Sequence, residues 1–350
     1  MKIIIASTVV PFVEGGGTFI VDWLELKLKE YGHQAEAIKI PFTSDYTKMI
    51  SQMLALRLYH LEDACDRLIC IRMPSYMIKH PDKYLWFIHH YREMYDLWKT
   101  SMDYLPKDDQ TLAIREYVMR ADTCAFSEAK KIYTNSKIVS KRLKTFNNIE
   151  SVPLYPPIFD PKQFYCEGYG DYICYASRFC EPKRQHLALE AMKYTKTDVK
   201  LEIIGKSDDD AYFEKLVSFI KRNKLEDKAR IENRWVSEQE KTGRLAGCLA
   251  VLYIPFDEDS YGYPSLEAHH SSKAVISCTD SGGTDELIVN GQNGFLIPPD
   301  PKELAAVFDR LYLDRRLAEK MGQAGLARLS ELNINWDAVV NSFTGKGAAE

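Results

Sequence analysis

Short runs of β-branched and aromatic residues alternate with stretches whose apolar positions recur every three or four residues, and this alternation occurs twice along the chain. In the first half the runs lie at 1–6, 35–40, 67–71, 84–88 and 131–136, with helical patterns over 19–28 and 108–130 between them. In the second half they lie at 170–176, 199–205, 230–232, 250–255 and 273–277, with helical patterns over 211–223 and 302–330. Between the halves stand Pro153, Pro156 and Pro157, a density that marks a stiff, extended connection. The pattern predicts an α/β chain of two doubly wound parallel-sheet domains facing one another, over 1–155 and 156–335. Residues 336–350 are expected to cross back to the first domain.

At 350 residues with 45% hydrophobic content the chain can bury a substantial core. A net charge of −4 and a pI near 6.1 disfavour general nucleic-acid binding, which needs a basic surface. The acidic excess falls in the second half, so the mildly basic first half is open to peripheral contact with an anionic membrane. An ordinary mixed surface is the plainer reading. No run reaches the roughly 18 to 20 apolar residues of a membrane span, and the opening apolar run is too short for a signal peptide. The eight cysteines include no C-x-x-C pair, so a reducing, cytoplasmic setting is expected.

Chemistry concentrates in Asp259-Ser260-Tyr261-Gly262-Tyr263-Pro264-Ser265-Leu266-Glu267, which follows an apolar run and precedes a helical pattern. Pro264 suits a first helical turn and Gly262 lets backbone approach a ligand closely. The stretch therefore offers amide donors to an anion, framed by two carboxylates. A second glycine feature, Gly15-Gly16-Gly17, follows the first strand as a loop before a helix; it is not the G-x-G-x-x-G fingerprint, which disfavours a dinucleotide dehydrogenase. After the strand at 170–176 come Arg178 and Lys183, two cations five apart whose charge-assisted hydrogen bonds suit a diphosphate. His89 and His90 follow the strand at 84–88, on the rim where open α/β sheets bind ligands. Arg92, Tyr95 and Trp98 read either as an aromatic and cationic cluster that contacts a ligand or as helical packing. Ser237 with Glu240 reads as a capping box, and Trp235 as a buried structural ring rather than one stacking on a base.

On these residues the chain resembles glycosyltransferase family 4, retaining sugar-nucleotide transferases of the GT-B fold with two Rossmann-like domains. The family's paired acids, with seven residues between them, match Asp259 and Glu267, the first acid being Asp here in place of the usual Glu. The resemblance extends in order over the Gly15 to Gly17 run, His89, Arg178 with Lys183, the acid pair, Gly282-Gly283 before Glu286, and 293–300. It implies that Arg178 and Lys183 hold the donor's phosphates and Gly15 to Gly17 face them. Tyr261, Gly262 and Tyr263 would lie against the donor, backbone near Val236 would read the base, and Glu267 would hold the ribose. Asp259 would position the sugar and His89, with His90 in reserve, the reacting face.

The reaction expected is transfer of a sugar from a UDP- or GDP-sugar to a saccharide or lipid-linked saccharide hydroxyl, with anomeric retention, in bacterial polysaccharide or lipopolysaccharide assembly. No cofactor beyond the donor and no metal are expected, since the two cations already supply positive charge. A sugar-nucleotide epimerase on the same fold and a non-catalytic sugar-nucleotide sensor are the competing readings.

Overall fold

The computed structural model describes residues 1–12, 16–100, 102–208 and 210–345. It divides into two compact units, Met1–Pro156 with Asn335–Glu350, and Pro157–Ile334.

In the first unit the chain runs β1 (Lys2–Val9), α1 (Gly16–Glu30), β2 (Gln34–Pro41), α2 (Met49–Arg57), β3 (Arg67–Cys70), β4 (Lys83–Phe87), α3 (Asp109–Ser127), β5 (Lys131–Thr134), α4 (Lys137–Asn147) and β6 (Val152–Pro153). Its sheet is parallel in the order β2-β1-β3-β4-β5-β6. Helices cover both faces, which is why Ile3, Ile5, Leu68, Ile69, Leu85 and Trp86 are all buried and the strands read as continuous apolar runs. Val152 and Pro153, which the proline density assigns to an extended connection, form the edge strand. An edge is where the missing N–H of a proline breaks no ladder.

The second unit runs β7 (Tyr172–Ala176), α5 (Gln185–Ala191), β8 (Lys200–Gly205), α6 (Asp210–Arg222), β9 (Ala229–Asn233), α7 (Glu238–Gly247), β10 (Ala250–Leu252), α8 (Tyr263–His270), β11 (Val275–Cys278), β12 (Gly294–Ile297), α9 (Pro301–Leu313) and α10 (Arg315–Glu331). Its parallel order is β12-β11-β10-β7-β8-β9. The final helix, α11 (Trp336–Thr344), belongs to the first unit. Asn335 caps it by accepting from the Ala338 amide at 2.8 Å. Trp336, Val339, Val340 and Phe343 join the buried cluster of Ile3, Ile5, Leu24 and Trp86. The Phe343 ring lies 5.5 Å from that of Trp86.

In each sheet the strand order reverses once. The reversal falls between β1 and β3 in the first unit and between β7 and β10 in the second. Loops leaving those strand pairs turn to opposite faces and open a crevice at the carboxyl ends, the ligand position of open α/β sheets. Among the described residues no helix is long and apolar enough to cross a membrane. All eight cysteines are free, five of them buried.

Beneath β4 the first unit buries a carboxyl among phenols. Asp122 of α3 accepts from Tyr76 Oη at 2.9 Å and Tyr95 Oη at 2.7 Å. Burial pushes its carboxyl up to about 7, the two phenols pulling against it. A carboxyl raised in the folded state contributes stability that is complete below its unfolded pKa and is lost as pH rises through the folded one. Stability should therefore fall between about pH 4 and pH 7 by about 4 kcal/mol from this group, at roughly 1.36 kcal/mol per unit. Asp122→Asn should flatten that slope in urea melts taken across the range; an unchanged slope would remove Asp122 as its source.

Candidate functional site

The second unit's crevice is built by three loops locked to one another. Arg184 takes the left-handed conformation at φ +55° and turns the chain into α5. Its buried guanidinium donates to Ile254 O at 2.7 Å, Pro255 O at 2.7 Å, and Asp280 Oδ2 and Oδ1 at 2.8 and 2.9 Å. One side chain thus ties the loop after β7 to the ends of β10 and β11. Backbone bonds repeat the tie, from the Phe256 amide to Pro182 O at 2.8 Å and from the Asp257 amide to Asp280 O at 2.9 Å.

On that frame sit the paired cations. Lys183 Nζ pairs with Glu258 and lies 3.3 Å from Tyr253 Oη, whose ring it covers at 5.2 Å. Arg178, half-exposed, pairs with Asp208 from the loop after β8. Glu258 in turn meets Gly282 in a parallel bridge, and its carbonyl accepts from the Gly283 amide at 3.1 Å. Gly282 has φ +69°, and a Cβ there would fall 2.1 Å from Glu258 O. The Gly282-Gly283 pair is thereby the floor on which the acidic loop rests.

Asp259 is half-buried, and Tyr261 is buried with 1% exposure, so its ring is core and only its backbone faces the loop. Gly262 turns the chain at φ +73° into α8, with Pro264 in the first turn. Tyr263 is half-buried and burial raises its phenol, with Glu267 adding to the effect. Glu267, one turn into α8, is buried and its Oε1 accepts from Lys241 of α7 at 2.7 Å. Burial pushes the Glu267 carboxyl up while Lys241 pulls it down. Burial lowers the Lys241 ammonium, but Glu267 and Glu238 outweigh it and leave it raised. Both directions follow from burial acting against the pairing of Lys241 with Glu267 and Glu238.

Val236 is half-buried just before Ser237, which caps α7 by accepting from the Glu240 amide at 3.2 Å. The Glu240 carboxylate does not complete a capping box; it pairs with Arg234 and Arg244. Trp235 is 65% exposed, which corrects its reading as a buried structural ring.

In the first unit Gly16 and Gly17 lie in the first turn of α1, not in a loop before it, and Gly15 lies outside the described residues. His89 and His90 separate clearly. His90 is 2% exposed, stacks on Tyr95 at 4.1 Å and contacts Asn147 Oδ1 at 2.9 Å; burial lowers its imidazole to about 4. His89 is half-buried, with Nδ1 2.7 Å from His90 O. A carbonyl only accepts, so Nδ1 carries a proton, and in the neutral ring Nε2 is the acceptor. Tyr95, 2% exposed, is core rather than part of a ligand-contacting cluster; Arg92 pairs with Asp96, and Trp98 lies under Lys107 at 4.1 Å.

Among the described residues no group of three or more His, Cys, Asp or Glu side chains is arranged to hold a metal ion. Within the Asp257-Glu258-Asp259 run, Glu258 is committed to Lys183. Sequence reasoning missed Tyr253, Lys241 and the clamp role of Arg184. A tyrosine in an apolar run reads as core, and a left-handed arginine has no sequence signature.

Residues 166–328 match the family model of glycosyl transferases group 1. The chain is 28% identical over 218 residues, 57% of its own length and 50% of the relative's, to Alpha-1,3/1,6-mannosyltransferase ALG2 of Dictyostelium discoideum. To the protein of that name in Mus musculus it is 38% identical over 98 residues, 28% of this chain and 23% of the other. The chain spans half or less of the length of these curated relatives. Among solved structures, sucrose-phosphate synthase from Thermosynechococcus elongatus superposes with a TM-score of 0.77 at 16% identity, covering 99% of this chain and 98% of the other. Anabaena HepE, solved in complex with UDP, gives 0.69 at 15% identity, covering 99% of each. The fold is therefore that of the GT-B glycosyltransferases.

The loop geometry predicts a graded response to added side chains. A Cβ at Gly262 would lie 2.3 Å from the Tyr253 ring, whereas at Gly291, with a similar φ of +76°, it would meet nothing within 4 Å. Gly291→Ala should cost about 1 kcal/mol of backbone strain, and Gly262→Ala about 2 kcal/mol or more beyond that. Urea melts of the two variants measure the difference; equal losses would mean that the Tyr253 contact constrains nothing.

Proposed function

We propose that this chain is a family 4-like glycosyltransferase that moves a hexosyl group from a nucleoside-diphosphate sugar to an acceptor hydroxyl with retention of anomeric configuration. The observation that carries the reading is the gathering of Lys183, Arg178 and the Asp259 to Glu267 loop at the single strand-order reversal of the second unit.

In the proposed step the bond from the sugar's C1 to the diphosphate oxygen breaks, and its electron pair stays on that oxygen. Arg178 and Lys183, together with the amides that open α8, stabilise the charge as it develops. The acceptor oxygen bonds C1 on the same face, and its proton passes to the departing phosphate. No protein nucleophile enters the step, which suits a same-face route. Glu267 binds the ribose with its second oxygen while Lys241 occupies the first. Backbone beside Val236 takes the base, Asp259 the sugar hydroxyls, and backbone at Gly16, Gly17 and Tyr261 to Tyr263 lies along the donor. His89, through Nε2, accepts a hydrogen bond on the reacting side. The charge on Arg178 and Lys183 makes a divalent metal unnecessary, and activity should persist in EDTA.

Relatives named as mannosyltransferases support a mannosyl donor, and UDP in a structural neighbour supports testing UDP-sugars beside GDP-sugars. The acceptor is assigned as a saccharide or lipid-linked saccharide of a surface polysaccharide or glycolipid pathway.

Lys183→Ala should reduce transfer at least a hundredfold, on the order of 3 kcal/mol at the transition state, with melting little changed. Near-normal turnover would remove the phosphate role. Proton NMR of the product's anomeric signal tests retention, and an inverted product would reject the same-face route. Formation of a new sugar nucleotide without acceptor would favour an epimerase.

A further inference from the structure

The carboxylate that meets Lys183 is neither of the two acids framing the Asp259 to Glu267 stretch. It is Glu258, immediately before them, and the proposed transfer gives it no task. Its backbone cannot withdraw from the cation. The Glu258 carbonyl accepts from the Gly283 amide at 3.1 Å, the residue bridges Gly282, and the preceding Asp257 amide donates to Asp280 O at 2.9 Å. Asp280 is in turn held by Arg184. The Lys183 and Glu258 side chains are 14% and 30% exposed, against 55% and 43% for Arg178 and Asp208. Solvent screens the second pair far more than the first. Asp208 therefore gives way readily to an incoming anion, whereas Glu258 stays.

An ammonium has three N–H donors. Glu258 takes one and Tyr253 Oη, at 3.3 Å, a second, which leaves the third for a phosphate oxygen. Two acceptors on one tetrahedral nitrogen stand about 5 Å apart, so a phosphate on Lys183 has the Glu258 carboxylate as a near neighbour. The buried Tyr253 ring backs the pair and keeps water from that side. Like charges placed so repel, and the repulsion grows with the charge on the phosphate. Donor and product differ in that charge. Each phosphate of a sugar nucleotide carries one negative charge, while the terminal phosphate of a free nucleoside diphosphate ionises a second time near about pH 6.

We propose that Glu258 sets the order of affinities at this site: by sharing Lys183 with the bound phosphate, it holds the nucleoside diphosphate left after transfer more weakly than the nucleoside-diphosphate sugar that enters. Glu258 makes and breaks no bond in the reaction. It favours exchange of product for donor. The inference rests on the reading of Lys183 as a phosphate ligand, which the same experiment tests separately.

Calorimetric titration of the full chain without acceptor, at about pH 8 so that the terminal phosphate is fully ionised, compares UDP with UDP-glucose and GDP with GDP-mannose. Glu258→Gln removes the charge and leaves the backbone anchors in place. It should tighten the diphosphate at least about tenfold and the sugar nucleotide no more than about threefold. Glu258→Asp, which keeps the charge, should keep the wild-type ratio of the two affinities. Glu258→Ala should shift that ratio in the same direction as Glu258→Gln, and replaces it if the glutamine variant does not fold. The inference is overturned if the uncharged variants tighten both ligands equally, weaken either, or leave both unchanged while Lys183→Ala still weakens the diphosphate. If the wild type binds neither ligand, or Lys183→Ala binds the diphosphate as the wild type does, the phosphate reading of Lys183 fails and this inference falls with it.

Discussion

A parallel sheet whose strand order reverses must contain one pair of neighbouring strands whose following loops diverge, and the candidate site residues of this chain gather near two such pairs. The constraint is topological before it is chemical. Right-handed crossovers put helices on both faces, burying the strands and leaving their carboxyl ends as the place where backbone can bend toward a ligand. Polar chemistry then has one exit per unit. In the second unit it carries Arg178, Lys183 and the acidic loop; in the first it carries Arg72 and, one strand along, His89.

Reaching that position is not enough, because loops at strand ends are the least ordered part of most folds. Here the second unit spends a fully partnered arginine on rigidity. Arg184 binds two carbonyls and both oxygens of Asp280, so the loops after β7, β10 and β11 move only together. Gly282 and Gly262 permit the close contacts that follow, under the Glu258 carbonyl and against the Tyr253 ring. A diphosphate bound there would meet cations whose positions are already set, so less ordering entropy opposes binding.

The elements that rest on burial were legible in the sequence. Runs such as Ile3-Ile4-Ile5 or Leu68-Ile69-Cys70 can only be strands covered on both faces, and their alternation with helical spacing implied the α/β class. What failed to show depended on partners distant in sequence. Arg184 and Asp280 stand 96 residues apart, and neither signals the other. Trp235 reads as core by residue type but stands between β9 and α7 with its ring 65% exposed. Tyr95 reads equally as ligand-contacting or as packing, and the phenol is buried because it has Asp122 to bond. Within the site, chemical type and order were visible, while pairings such as Lys241 with Glu267 were not.

The two units solve the same electrostatic problem in opposite ways. In the second, Arg178, Lys183, Arg184 and Lys241 each pair with a carboxylate within the unit, so an anionic ligand there exchanges one ion pair for another. In the first, Arg72 is half-buried and has no acceptor among the described residues. Under the proposed transfer, cations that are already paired favour exchange, because a departing diphosphate gives up its contacts to carboxylates waiting within the unit and does not leave bare charge behind.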